Sequence, residues 1–158
     1  MPESKPSTQY TAEEWQQLLV AGGKYSGLLT VKGAVHLLTF TELPHHRAFP
    51  DLVEVERVHD RANNETYTAA FVKDWAALPD SKAAIRLPGG DTKLLALAVS
   101  MVSGTPVSLR DNLVGFGHAH IRRVIEAVAM ATGGDEFYAV TPTPALDEML
   151  AARDALFG

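Results

Sequence analysis

At 158 residues, 46% hydrophobic and 21% charged, the chain has the material for one globular domain with a real core and too little for two. A formal net charge of −5 argues against a protein whose main task is to coat nucleic acid or anionic lipid, although a local basic patch is compatible with it. The absence of cysteine excludes disulfides, thiolate metal sites and cysteine nucleophiles.

The opening MPESKPSTQY is polar with two prolines and reads as a flexible arm over residues 1–10, followed by a single α+β domain over residues 11–158. It lacks the apolar run of a signal peptide, and no later run reaches the roughly 20 apolar residues that span a bilayer. The expectation is a soluble, cytoplasmic protein with no membrane partner. Thr11 with Glu14 forms a capping box, and Trp15, Leu18 and Leu19 give an apolar stripe, so a helix is expected over about 12–21 with Gly22-Gly23 as its stop. Leu28–Val31 and Val35–Phe40, separated by Lys32-Gly33-Ala34, have the arrangement of a β-hairpin. Leu52–Val58 fits an alternating strand and a helix about equally. Asn63-Asn64 is a turn signal, and Thr66–Val72 reads as a strand passing into a helical turn before Pro79, with one more short strand at Ala84–Leu87.

The stretch Asp91–Gly134 organises the rest. Asp91 is a good N-cap, and from Leu94 to Val102 only Ser100 is polar, which is the pattern of a buried central helix closed by Gly104 and Pro106. Ser108 and Asp111 suggest a short helix to about Val114. Ile121, Val124, Ile125, Val128 and Thr132 then recur on one helical face, giving an amphipathic helix that packs on the first, with Gly133-Gly134 as its stop. Glu136–Val140 suggests a short strand. Thr143 as cap and Pro144 in the first helical position open a last helix to Phe157.

Chemistry-bearing constellations are sparse. His118 and His120, with His45 and His46 elsewhere, are the only candidates for a metal, yet helical residues two apart point about 200° from each other and cannot share one ion. Arg110, His118, His120, Arg122 and Arg123 near the Gly117 helix start form a candidate phosphate patch, with Arg122 and Glu126 spaced to neutralise each other at i,i+4. The turn Pro88–Lys93 has glycines and a lysine but lacks the spacing of a phosphate loop, and Asp91 would oppose an anion. No nucleophile elbow occurs. No catalytic residue, cofactor or metal ligand is therefore assigned. The clearest interaction element is the last helix: Leu146, Met149, Leu150 and Phe157 line one stripe suited to helix-in-groove docking or self-association, unless that stripe closes the domain's own core.

Three segments resemble one family: Gly27–Leu43 (GLLTVKGAVHLLTFTEL), Lys93–Gly104 (KLLALAVSMVSG) and Ile121–Gly134 (IRRVIEAVAMATGG), together under a third of the chain. The order helix, hairpin, central helix, turn, helix in which they lie is similar to that of the tail assembly chaperones of long-tailed bacteriophages. The resemblance implies a protein that holds the helical tape-measure protein soluble in the host cytoplasm while tail-tube subunits assemble, with no cofactor. The reading is thus a non-enzymatic protein-interaction or assembly protein, built as a small antiparallel sheet with an N-terminal hairpin packed against a bundle of helices. The alternative is a small-ligand or metal-binding protein, including an enzyme, that uses the His118/His120 region.

Overall fold

A computed structural model describes residues 9–158. The arm expected over 1–10 thus falls mostly outside the described residues, while Tyr10 already packs its ring 4.9 Å from that of Trp15. Helix α1 spans Ala12–Ser26 and opens with the capping box read from the sequence: the Glu14 carboxylate accepts from the Thr11 amide at 2.8 Å, and the Thr11 hydroxyl accepts from the Glu14 amide at 3.2 Å. It runs through Gly22-Gly23 instead of stopping at Ala21. Gly22 serves close approach, since a Cβ there would overlap the Ala70 carbonyl of the sheet beneath. Gly27, at φ 67°, ends the helix.

The hairpin expected at Leu28–Phe40 is a correction: residues Leu29–Leu38 form helix α2. An apolar run flanked by glycine has the same signature as a strand or a helix buried on two sides, and tertiary burial decides here over the β-branched Val31 and Val35. Val35 and Leu38 enter one core cluster and Ala34 and Leu37 another. Gly33 is no turn residue; its missing side chain admits a neighbouring helix.

The antiparallel sheet lies further on. Strands β1 (Val53–Asp60) and β2 (Glu65–Val72) pair from Val53↔Val72 to Asp60↔Glu65. Asp60 holds the turn by accepting from the Ala62 amide at 2.9 Å and the Asn63 side chain at 2.8 Å, and Asn64 takes φ 53°. The fold is α+β with a small antiparallel sheet under helices, and among the described residues its one hairpin turns at the Asn63-Asn64 signal. After β2 the chain makes a 3-10 turn at Leu78–Asp80; Ala84–Leu87 forms turns, not a strand.

Helix α3 (Gly89–Ser103) is the central helix. Leu95 and Val99 face the cluster shared with α1 and the sheet, while Leu94, Leu97 and Ala98 face the one shared with α2. Its start differs from expectation: Pro88 is the cap residue, and Asp91 lies inside the first turn, only 6% exposed. Gly104, at φ 71°, closes it. Ser108 caps the short α4 (Leu109–Leu113) by accepting from the Asp111 amide. Helix α5 (His118–Thr132) follows, ended by Gly133. The strand expected at Glu136–Val140 is absent: a 3-10 turn at Gly134–Glu136 leads into irregular chain with Phe137 and Tyr138 exposed. The described sheet consists of β1 and β2, and this segment pairs with neither. Helix α6 (Pro144–Phe157) begins at Pro144 as expected, but Thr143 makes no capping hydrogen bond.

Candidate protein-interaction surface

The surface is set by how α5 is held. Helix α5 runs antiparallel to α2, anchored at several points along its length. At the crossing, an ideal Cβ on Gly33 would lie 2.6 Å from the Ala127 carbonyl and 3.1 Å from the Ala131 methyl, so the two helices meet through small residues. Arg123 then reaches the C-terminal end of α2, donating from Nε to the His36 carbonyl at 2.6 Å and from a terminal nitrogen to Thr39 Oγ1 at 3.1 Å, with its guanidinium 5.3 Å from the Phe40 ring centre. Beside it His36 Nε2 lies 3.4 Å from a Glu126 carboxylate oxygen. Burial, and next the Arg123 charge, depress the His36 pKa below its ordinary 6.5, with Glu126 opposing them. Burial likewise pulls the Arg123 pKa down, against Glu126.

A second anchor joins α5 to the start of α3. Asp91 Oδ2 accepts from the Glu42 amide at 2.8 Å, and Oδ1 lies 3.4 Å from His120 Nε2. The imidazole is stacked on Phe116 with the Phe40 ring perpendicular to it, and Gly90 leaves room for it, since a Cβ there would come within 3.0 Å of Nε2. The carboxylate read from the sequence as a cap is instead a buried cross-link between three segments. No pattern of neighbouring residues announces such a pairing across 29 positions.

These anchors fix the rotation of α5. Its inward side carries His120, Arg123, Val124, Ala127 and Ala131, about a quarter-turn from the stripe read as inward in the sequence. Of that stripe only Val124 is buried; Ile121, Ile125 and Val128, at i, i+4 and i+7, face outward and are 46–50% exposed. The expectation that the larger β-branched residues form the packing face fails because Gly33 selects alanine at the contact.

Helix α6 carries further exposed apolar side chains. None of its residues is buried and none enters either core cluster. Leu146 and Leu150 are half-buried, whereas Met149 is 48% and Phe157 84% exposed. The four residues singled out from the sequence thus do not form one continuous buried seam; Leu146 and Leu150 lie together, and Phe157 projects. The exposed Phe137 and Tyr138 on the connecting chain, and Leu109 and Leu113 on α4, add apolar surface that periodicity alone did not flag.

The histidine candidates do not converge. His118 is exposed at the helix start while His120 turns inward to Asp91. His46 uses Nδ1 to accept from the Ala48 amide at 3.1 Å. Among the described residues no group of three or more His, Asp or Glu side chains could hold a metal ion. The candidate phosphate patch is likewise dispersed: Arg123 is spent on α2, and Arg122 pairs with Glu126 at 3.6 Å. Among the described residues no helix is long and apolar enough to cross a membrane. With this geometry in place, comparison with known proteins finds no matching family model, no matching curated protein and no matching solved structure.

Proposed function

We propose that the protein is a non-enzymatic interaction or assembly protein that binds a helical protein partner through the outward faces of α5 and α6. One observation carries this reading: Ile121, Ile125 and Val128 on α5, and Met149, Leu156 and Phe157 on α6, are exposed although both helices are well formed. Large apolar side chains in that number on two helices are costly in water and suit helix-in-groove docking. Methionine and the long apolar side chains of α6 adapt to more than one packing partner.

The resemblance to phage tail assembly chaperones supplies the partner in this proposal, the tape-measure protein, whose long helix would be sheltered by such a surface. Of the three segments that carry the resemblance, two are helices α3 and α5, and the third is helical where a hairpin was expected. Self-association through the same helices is the competing form of the proposal, and the mass of the complex separates them.

The test is co-expression with a tape-measure protein, followed by affinity purification and mass determination in solution. A defined complex is expected with the native chain, and its loss with Ile125→Glu, whose exposed site tolerates charge without change in the melting temperature. A catalytic turnover that depends on one polar side chain would contradict the reading.

A further inference from the structure

Two loops bring cations together at a cleft that no carboxylate lines. His46, Arg47 and Ala48 follow the 3-10 turn at Leu43–His45, and Lys82, Ile85 and Arg86 lie in the turns ahead of α3. Together they line a cleft of about 520 Å³, within the several-hundred-Å³ range of small-molecule sites. Both loops are pinned from below: Phe49, next to Ala48, and Ala83, next to Lys82, are buried in the same core cluster. The cleft is therefore held in shape by the core.

Its chemistry is one-sided. The chain has 19 acidic residues against 14 lysines and arginines, yet no carboxylate lines this cleft. Among the described residues Arg47, Lys82 and Arg86 have no ion pair and no side-chain hydrogen bond, as is also true of exposed cations elsewhere such as Arg57 and Arg61; what sets these three apart is that they line one cleft. Three unpaired cations at one concavity repel one another and focus a positive field into it. His46 adds a donor: because Nδ1 accepts from the Ala48 amide, the neutral ring carries its proton on Nε2. With His46 Nδ1 taken up by the Ala48 amide, the polar side chains of the cleft have only donors left to offer a ligand, and Ile85, 75% exposed, presents an apolar face at the rim.

We propose that this cleft binds a small phosphate ester carrying at least two negative charges and an apolar or ring-shaped group. Two guanidinium forks suit the oxygens of a phosphate, the lysine supplies a point charge, and Ile85 covers the organic part. A nucleic-acid strand offers the same phosphate chemistry but needs a basic groove that tracks several nucleotides, and the net charge of −5 works against it. This site is independent of the protein-binding surface on α5 and α6.

The experiment is a titration of the ¹⁵N-labelled protein with ADP, with inorganic pyrophosphate and with a short single-stranded DNA oligonucleotide, read residue by residue from amide chemical shifts. ADP is expected to give saturable shifts confined to residues 46–48 and 82–86, with pyrophosphate weaker because it lacks a group for Ile85. Arg47→Gln combined with Arg86→Gln is expected to weaken ADP binding by about tenfold or more, and Arg57→Gln, an exposed cation elsewhere, to leave it unchanged. The absence of localised, saturable shifts at about 10 mM ADP would overturn the proposal, that concentration being where even weak sites fill. So would equal binding by the double variant, or an oligonucleotide that binds these residues more tightly than ADP. The native titration maps the site without relying on any variant's folding.

Discussion

Replacing Trp15 by Ala is expected to lower the stability of the protein by about 3–5 kcal/mol, measured as the shift of the urea unfolding midpoint with its slope unchanged. The indole is 2% exposed and stands between two aromatic neighbours, Tyr10 at 4.9 Å and Phe49 at 5.5 Å with an 81° edge-on geometry. Removing it leaves a hole at the junction of α1, the 3-10 turn at Phe49–Leu52 and the sheet. Phe49 is itself fully buried and held on other sides, so the cavity cannot collapse freely. A loss under about 1 kcal/mol would mean that α1 is peripheral, contrary to its place in the main core cluster.

Adding a single methyl at Gly22 is expected to be about as damaging. Gly22→Ala would drive the new Cβ into the Ala70 carbonyl of β2, and both partners are backbone that cannot rotate away. Helix α1 would have to lift from the sheet, separating Leu19 and Trp15 from Ala70 in the same cluster. The expected cost is about 3 kcal/mol or more, the upper end for overpacking, against a gain of at most about 1 kcal/mol from better helix propensity. The control is Gly23→Ala, where the nearest atoms stand at 3.7 Å and the same propensity gain should dominate. A stabilised Gly22→Ala variant would contradict the packing of α1 on β2.

The same two glycines show what the sequence does and does not disclose. Local signals read well where the chain satisfies its own backbone: the Thr11/Glu14 box, the Ser108 cap, Gly104 as terminator and the turn at Asn63-Asn64 all lie where the residues placed them. The uniform apolarity of Leu94–Val102 likewise marked α3 as the central helix, because burial on two sides leaves no polar face. Glycine is ambiguous, for a missing side chain can signal a stop, a turn or a close approach. From the sequence Gly22, Gly23 and Gly33 read as the first two, whereas Gly22 and Gly33 serve the third. That one ambiguity turned α2 into a hairpin. It also hid the rotation of α5, since the alanine face that fits against Gly33 is less apolar than the isoleucine face it leaves in water. Asp91 shows the same limit in another form: its N-cap reading was local, and its actual partners, the Glu42 amide and His120, are distant in the chain.

The exposure of the isoleucine face and of α6 supports the proposed function, and deletion of residues 142–158 tests it most directly. If α6 is a docking element outside the core, the shortened chain should keep the thermal midpoint and amide spectrum of the rest of the domain. It should at the same time lose its complex with the tape-measure protein, or its self-association, in solution. A shortened chain that unfolds or aggregates would place α6 in the core and contradict the account, as would one that folds and keeps every association of the full chain.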